Sequence, residues 1–331
     1  MKAVRLHAAR DLRVEDVPPP APPGPGEITL RVTTAGICGS DLHNFRTGAW
    51  ISRVSVAGHE FSGVVTACGA GVDHVAEGDR VLVDSRHICG TCAACRDGLG
   101  QVCAELGFLG EKIDGGFAEA VTLPARNVLR APDGVPDDIL ALAEPLAVAL
   151  HALNKLAAPP GVPILITGCG PIGGLVALLA ARRGHEVSAT DLNDDRAALV
   201  AGIARAEVMQ LDDLSGRTIR HAVDTTGAPA VISALVDRLS PGGGIALVGI
   251  GHGEMILDPV KLVEKEVALI GVHAFGDELT EVARLLPGLA DDLGAVVAER
   301  ITLDQVPAAY DRHLSGKVTG LKTLIRCGAP S

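Results

Sequence analysis

Four cysteines lie close together in the first third of the chain. They read C-x2-C-x2-C-x7-C, at Cys89, Cys92, Cys95 and Cys103. Four thiolates at this spacing can surround one metal ion tetrahedrally, and a closed shell of four sulfurs is typical of structural zinc. An iron–sulfur cluster fits less well because the spacing differs from that of the ferredoxins, and disulfides are disfavoured because no secretory signal is recognisable. The sequence therefore predicts a structural zinc site.

A second group of metal-ligating side chains is dispersed: Cys38 in GICGSDLH, His59 and Glu60 in AGHEFSG, and Glu144 in AEPLAVALHAL. Singly, each has an ordinary explanation, such as a small buried cysteine, a core histidine or a carboxylate at a helix N-terminus. Together they offer a thiolate, an imidazole and one or two carboxylates. Such a set can hold a zinc ion and leave one coordination position open. The sequence therefore predicts a second, catalytic zinc site.

A glycine-rich stretch in the second half of the chain reads GCGPIG and matches G-x-G-x-x-G. The chain contains 40 glycines, so the match alone is weak. Its place between a predicted strand and a predicted helix is what a dinucleotide-binding turn requires, with the pyrophosphate at the helix N-terminus. The predicted binding residues are Gly168, Gly170, Pro171, Ile172 and Gly173.

Asp191 ends the next predicted strand, 191 − 170 = 21 residues after Gly170. A carboxylate there can bind both ribose hydroxyls and repels the 2′-phosphate of NADP, so NAD is the predicted cofactor. Arg196, the nearby cation, is expected to flank the adenine. Further cofactor contacts are expected at or near later strand ends, where open α/β sheets bind ligands. They are Thr225, Thr226, Val248, Gly249 and His273.

The elements that must position these residues fall into two unlike parts. In residues 1–145, Gly, Asp and Pro separate short β-like runs at 28–32, 61–68, 80–84 and 118–123. This rhythm predicts an antiparallel, barrel-like β part.

After about Pro145 strands and helices alternate, which predicts a parallel sheet with right-handed crossovers. The predicted strands are 163–168, 186–191, 221–226, 244–250 and 267–273, and the predicted helices are 171–184, 194–206 and 230–239. The last part contains a predicted helix at 278–286, a strand at 295–301, a helix at 304–314 and a strand at 322–327. The sequence leaves open whether this part returns to the β part.

Composition excludes several classes of protein. The net charge of −11 argues against nucleic acid or an anionic membrane surface as the main partner. The longest apolar stretch, around residues 139–158, is interrupted by polar residues and is not a membrane span. We expect a globular cytoplasmic protein with a core of Ala, Val, Leu and Ile, because aromatic residues make up only 2% of the chain.

Over essentially its whole length the chain resembles the zinc-dependent medium-chain dehydrogenases/reductases, the superfamily of alcohol dehydrogenase. The resemblance rests on GICGSDLH, GHEFSG, the four-cysteine lobe, DGGFAEAV, AEPLAVALHAL and GCGPIG. It implies an α/β protein with a GroES-like, β-barrel-type catalytic domain and a Rossmann coenzyme domain with a doubly wound parallel sheet. The implied bounds are 1–145 with 276–331 for the catalytic domain, 86–106 for the zinc lobe within it, and 146–275 for the coenzyme domain.

The resemblance also implies residue roles. Cys38 and His59 match metal ligands, and Glu60 matches a carboxylate that ligates directly in some members and stands behind the ligands in others. Glu144 takes the place of a third ligating cysteine and, followed by Pro, resembles the sorbitol, xylitol and idonate dehydrogenase branch. Asp41 matches the residue that orients the ligating histidine. The proton-relay positions fall on Ser40 and His43.

The implied activity is interconversion of a secondary alcohol and its ketone, with two zinc ions per chain and NAD. A polyol, sugar alcohol or cyclitol is the preferred substrate, with Trp50 and Phe108 as candidate pocket residues. Alternatives are a threonine, butanediol or simple secondary-alcohol dehydrogenase, a dehydrogenase of a biosynthetic pathway and, in another class, a non-catalytic zinc-binding scaffold. The resemblance implies a homotetramer, with a dimer as the alternative.

Overall fold

The structure, a computed structural model, describes residues 1–210, 219–251 and 253–328. The strands in these residues are β1 Lys2–Ala8, β2 Asp11–Asp16, β3 Glu27–Gly36, β4 Ser55–Val56, β5 Glu60–Cys68, β6 Arg80–Val83, β7 Arg86–His87, β8 Gly107–Phe108, β9 Ala120–Pro124, β10 Val128–Arg130, β11 Ile164–Thr167, β12 Val187–Thr190, β13 Glu207–Val208, β14 Ile219–Asp224, β15 Leu239–Leu247, β16 Ala268–Gly271, β17 Val297–Thr302 and β18 Lys322–Arg326. The helices are α1 Gly39–Thr47, α2 Ala93–Arg96, α3 Asp137–Leu140, α4 Ala143–Leu156, α5 Pro171–Arg182, α6 Asp194–Ala204, α7 Pro229–Arg238, α8 Pro259–Lys265, α9 Glu278–Val296 and α10 Val306–Leu314.

The chain divides into two units. The first comprises Met1–Glu144, Leu279–Val318 and the end of the chain from Lys322. The second comprises Pro145–Glu278 together with the short segment Thr319–Leu321, which the sequence did not assign to it. No helix within the described residues is both long enough and apolar enough to cross a membrane.

The first unit is built mainly on antiparallel strands, as predicted, although β17 pairs parallel with β18. Among its described residues, the largest sheet has the order β10-β6-β5-β3-β18-β17, with β9 paired to β3. Strand β3 alternates buried and half-buried residues, so one face of it covers the core. The last strand, β18, pairs antiparallel with β3, with Leu324 opposite Gly36. The C-terminal segment therefore does return to the β part, the question that the sequence left open.

The second unit contains a parallel sheet with the order β13-β12-β11-β14-β15-β16 among its described strands. This is the doubly wound order of a Rossmann domain and confirms the predicted fold class. Strand β11 is buried at every position because helices cover both faces of such a sheet. Helix α5 begins with Pro171 in its first turn, where the missing N–H costs nothing.

Several elements differ from the prediction, and two helices illustrate how. Helix α9 continues to Val296, beyond the predicted end at 286 and through Pro287. Its later turns bury Leu289 and Leu293, so the apolar face continues past the proline. Helix α8 was not predicted, although Asp258 caps it by accepting the N–H of Val260.

Candidate active site

The four clustered cysteines of the first unit surround a common point. Their sulfurs lie 3.5 Å apart for Cys89 and Cys103, 3.9 Å for Cys92 and Cys103, and 4.0 Å for Cys89 and Cys95. A tetrahedron of sulfurs at about 2.3 Å from zinc has edges of about 3.8 Å. All four cysteines are free of disulfides. The geometry thus fits the predicted structural zinc.

Backbone amide groups near these cysteines stabilise the thiolate form of their sulfurs. The amide groups of Thr91 and Cys92 donate to Cys89 Sγ, at 3.4 and 3.3 Å. These two hydrogen bonds are the main reason that the pKa of the Cys89 thiol falls to about 6. Short helix α2 then presents Cys95, whose own N–H lies 3.5 Å from Cys92 Sγ.

The second ligand group comes together at one end of β3 and β5, two central strands of the largest sheet. Cys38 precedes helix α1, while His59 and Glu60 lie at the start of β5. Their ligand atoms all lie within 4.8 Å of one another. Residues 22 positions apart along the chain (60 − 38 = 22) thus form one cluster, because β3 and β5 pair with Gly36 opposite Glu60. Glu144 lies outside this three-residue group.

His59 is held in a fixed orientation by Asp41. The imidazole Nδ1 lies 3.2 Å from Asp41 Oδ1, which leaves Nε2 for a metal. The other carboxylate oxygen of Asp41 accepts the amide of Cys38 at 2.9 Å, so one residue positions both ligands. Burial opposes a charge on His59, but Asp41 and Cys38 outweigh burial and raise its pKa well above the ordinary value.

Glu60 forms a fully buried ion pair with Lys322 of strand β18, and both side chains are 1% exposed. Neither oxygen of Glu60 accepts a hydrogen bond of normal geometry from the described residues. Burial alone would lower the pKa of Lys322, but the charges of Glu60 and Cys38 raise it above its ordinary value. Gly36 makes room for the pair, since a Cβ there would lie 2.5 Å from Glu60 Oε2.

Glu144 lies at the start of α4 and accepts the hydroxyl of Ser85, with 3.0 Å between Ser85 Oγ and Glu144 Oε1. Burial raises the pKa of Glu144 to about 7, and the charge of Glu60 adds to the effect. When Cys38 and both glutamates are ionised they carry three negative charges, against one positive charge on Lys322. Thiolate, imidazole and carboxylate are all groups that bind zinc, so this donor set fits zinc.

The predicted relay and pocket residues lie around the same group. Ser40 Oγ is 3.1 Å from Cys38 Sγ and 3.3 Å from His59 Nε2. The ring of Phe108 stands 6.3 Å from that of His59, centroid to centroid. His43 lies one helical turn after Ser40, and Trp50 packs against it with ring centroids 5.1 Å apart.

The glycine loop of the second unit has the geometry of a phosphate-binding turn. Gly168 has φ +89°, and a Cβ on Gly173 would lie 1.8 Å from the carbonyl oxygen of Gly168, so both positions require glycine. A Cβ on Gly170 would meet no atom within 4 Å, so it would project into open space in front of α5. This cradle fits a pyrophosphate at the N-terminus of α5, where Pro171 and Ile172 begin the helix.

Asp191 follows β12, next to the loop. One of its carboxylate oxygens accepts the amide of Cys169 at 2.6 Å, and the other accepts the amide of Asn193 at 2.8 Å. Arg196 lies in the first turn of α6, where Asn193 caps its N–H.

The later strand ends also reach this region. Thr225 donates to the carbonyl of Gly168 at 2.8 Å, so β14 ends beside the loop. Val248 and Gly249 follow β15 and donate their amides to the carbonyl oxygen of Asp224. His273 lies exposed just after β16.

Four residues near these sites were missed by sequence reasoning. Ser85 and Lys322 contact the two glutamates, and Glu111 lines a small cavity with Ser40, Asp41 and His59. Burial raises the pKa of Glu111 to about 7. Asp224, 0% exposed, accepts the hydroxyls of Thr167 and Thr226 at 2.7 Å and thereby fixes the loop after β14. Lys322 and Asp224 could have been noticed as charged residues at the ends of apolar strands.

Comparison with known proteins identifies the family. The alcohol dehydrogenase GroES-like domain matches residues 24–133, and the zinc-binding dehydrogenase domain matches residues 171–287. A protein of Anaeromyxobacter dehalogenans named L-threonine 3-dehydrogenase is 35% identical over 322 residues, covering 91% of this chain and 92% of that protein.

Solved structures of other dehydrogenases have the same fold over almost the whole length of this chain. A short chain alcohol dehydrogenase of Escherichia coli, solved with NADH, has a TM-score of 0.92 at 26% identity and covers 98% of this chain and 99% of its own. Galactitol-1-phosphate dehydrogenase of Escherichia coli has a TM-score of 0.91 at 28% identity, covering 98% and 100%. The resemblance drawn from the motifs is confirmed. The chain therefore belongs to the zinc-dependent medium-chain alcohol dehydrogenases and is an oxidoreductase that uses zinc and a nicotinamide cofactor.

Proposed function

We propose that this enzyme oxidises a secondary hydroxyl of a neutral polyol, sugar alcohol or cyclitol to a ketone, with NAD+ as the hydride acceptor. The observation that carries the proposal is the convergence of one thiolate, one imidazole and one carboxylate within 4.8 Å. Three protein ligands leave a fourth tetrahedral position for a substrate hydroxyl.

Cys38, His59 and Glu60 are the proposed ligands of the catalytic zinc, and Glu144 faces the same ion without being part of the three-residue group. Cys89, Cys92, Cys95 and Cys103 hold the proposed structural zinc. When bound, zinc would acidify a coordinated hydroxyl as a Lewis acid, and NAD+ would accept the hydride.

The proton leaves through the chain's own residues. Ser40 lies beside both Cys38 and His59, so its Oγ is placed to accept a proton from an alcohol held at the open position while its own proton is released towards His43. His43, one turn further along α1, is proposed to pass the proton to solvent, because the ordinary pKa of an imidazole lies near neutrality.

Coenzyme binding is assigned to the second unit. We propose that the loop from Gly168 to Gly173 binds the pyrophosphate and that Asp191 binds the adenine-side ribose, which selects NAD over NADP. Thr225, Val248, Gly249 and His273 are the proposed contacts along the strand ends, with Arg196 beside the adenine.

The charge at the metal site favours a neutral substrate. Lys322 is a cation at the ligand group, but it is buried against Glu60 and cannot meet a substrate carboxylate. This favours a polyol over a sugar acid. The second candidate is L-threonine, supported by the name of the curated relative; the half-buried carboxylate of Glu111 is a suitable partner for its ammonium group.

An NAD+-reduction screen over polyols, L-threonine, butanediol and sugar acids tests the proposal. We expect the highest kcat/KM for a neutral polyol, and we expect Cys38→Ser to lose one zinc and the activity. Cys68→Ser, on β5, is the matched control and should keep both. Full activity and full zinc content in Cys38→Ser would overturn the ligand assignment, and the highest kcat/KM for L-threonine would favour the second candidate.

We also propose that the enzyme is a homo-oligomer, a tetramer or else a dimer, assembled through strand β16. Within the described residues, β16 is the last strand of the parallel sheet, so one of its edges carries unpaired backbone groups.

A further inference from the structure

Ser85 is a fully buried serine beside the candidate catalytic group, at 0% exposure. Its hydroxyl donates to Glu144 Oε1 at 3.0 Å, and Glu144 is 6% exposed. No other hydrogen bond from a described residue is seen at this carboxylate. A single hydroxyl therefore fixes the position of a buried carboxylate next to the metal ligands.

The backbone around Ser85 is held from several sides. The amide of Leu109 donates to the carbonyl oxygen of Ser85 at 2.9 Å, and the amide of Asp84 donates to the carbonyl oxygen of Asn127 at 2.7 Å. The guanidinium of Arg86 forms an ion pair with the carboxylate of Asp84 at 2.6 Å. Because both neighbours of Ser85 are tied down, its backbone stays in place if the carboxylate of Glu144 moves, and only rotation of its own side chain can move the hydroxyl.

The two glutamates near the ligand group are restrained differently. Glu60 is held by its buried ion pair with Lys322, and its carboxylate lies within the three-residue ligand group. Glu144 has a hydrogen bond and lies outside that group. Hydrogen bonds to a charged partner are among the stronger ones, so the Ser85 contact can decide where Glu144 rests.

From this contrast we propose that Ser85 is a positioning residue that holds Glu144 back from the catalytic metal and so keeps the fourth coordination position open for substrate. The proposal rests on the function proposed above. Without the hydroxyl, Glu144 would be a buried carboxylate with no donor, and the metal would be the cation able to compensate it.

The test compares Ser85→Ala with Ser55→Ala. Ser55 is also buried in the first unit, at 4% exposure, but donates to a backbone carbonyl, that of Gly110, at 3.0 Å. In the cobalt-substituted enzyme, we expect the visible spectrum of Ser85→Ala to differ from that of the wild type, because Glu144 would replace water as the fourth ligand. We also expect the variant to lose its catalytic metal to a chelator about tenfold more slowly and to show a lower kcat.

Two further variants make the result specific. Ser85→Thr keeps the hydroxyl and should restore the wild-type spectrum, and it remains informative if Ser85→Ala does not fold. In the double variant Ser85→Ala with Glu144→Gln, we expect the rate of metal loss to the chelator to return towards that of Glu144→Gln alone. The side chain at position 144 would then carry no charge with which to bind the metal.

The outcomes separate the two proposals. A wild-type enzyme without a catalytic metal and without NAD+-linked activity would refute the proposed function. An active wild type in which Ser85→Ala matches Ser55→Ala in spectrum and chelation rate would refute only the role of Ser85. Faster loss of metal from Ser85→Ala would also refute it, since Glu144 would then be a ligand that Ser85 supports.

Discussion

Asp191 combines two tasks at one position. Its carboxylate accepts two backbone amides, from Cys169 and Asn193, and so joins the end of β12 to the glycine loop. In the function proposed above, the same carboxylate repels the 2′-phosphate of NADP. The proposed cofactor preference is therefore tied to the geometry of the loop itself.

We expect Asp191→Asn to raise the KM for NAD+ about tenfold, because a hydrogen bond from a ribose hydroxyl to a charged acceptor is lost. The kcat/KM for NADP+ should rise, since the repulsive charge is gone. Steady-state kinetics with both cofactors measures this, and Asp194→Asn, an exposed neighbour on α6, is the control. An unchanged ratio of the two kcat/KM values would contradict the role given to Asp191.

Among the elements, the four-cysteine lobe contains a helix that contributes little packing. Helix α2 spans only Ala93–Arg96, and none of its residues is buried. A segment so short gains little from packing, so metal binding supplies much of its folding free energy.

Cys95→Ser should therefore reduce the zinc content from two ions per chain to one and make residues 86–106 sensitive to proteases. Binding of NADH should stay unchanged, because the loop and Asp191 belong to the other unit. Metal analysis, limited proteolysis and an NADH fluorescence titration measure these three quantities. Two retained zinc ions in Cys95→Ser would show that the lobe does not hold a four-sulfur site.

Helix α9 begins at a charged contact within the second unit. Glu278 Oε1 lies 2.8 Å from His151 Nδ1 and 3.2 Å from Asn154 Nδ2, both on α4. Burial opposes the charge of Glu278, but these hydrogen bonds outweigh burial and lower its pKa from 4.5 to about 2. A carboxyl whose pKa falls on folding stabilises the protein above its unfolded pKa, and this stability is lost as the pH falls through the folded value.

Glu278→Gln should thus lower the free energy of unfolding by on the order of 2 to 3 kcal/mol at pH 6, with the difference from wild type disappearing towards pH 2. Urea denaturation at several pH values measures it. Glu264→Gln, an exposed position on α8, is the control and should show no such trend. A difference independent of pH would mean that the ion pair is not its source.

The predictability of elements from sequence follows from how local their causes are. Strand β11 is marked by a short apolar run. Helix α5 is marked by a proline at its start, an apolar middle and a polar end. Both were predicted within a few residues. The end of α9 was not, because Pro287 is a strong local stop signal and the apolar face formed by Leu289 and Leu293 overrides it. At this point, burial of the apolar face stabilises the helix more than Pro287 destabilises it.

The candidate site likewise contains residues that could be predicted from the sequence and residues that could not. Cys38, His59 and Glu60 were candidates because their side chains can ligate zinc and because GICGSDLH and AGHEFSG resemble motifs of the family. Lys322 could not be assigned from the sequence, because its role depends on the pairing of β18 with β3, almost the whole chain away. Ser85 was missed because a serine after a short strand carries no signal until its buried acceptor is known.

At the scale of the whole molecule, exposed apolar residues belong to the same unit as the strand through which we propose that copies of the chain assemble. Val260 and Val263 on α8 are 54% and 74% exposed, and the adjacent β16 has a free edge within the described residues. An uncovered strand edge next to exposed apolar side chains favours pairing with another chain. The proposed assembly buries both features.

Gly271 offers a selective test of that assembly. A Cβ at this position would meet no atom within 4 Å, so Gly271→Lys should leave the single chain intact. At a strand-to-strand contact between copies, however, the added lysines would face each other and repel. We expect light scattering coupled to size-exclusion chromatography to show a smaller particle than the wild type. Gly202→Lys, on α6 and equally unobstructed, should keep the wild-type mass; the same mass for all three proteins would place the interface elsewhere.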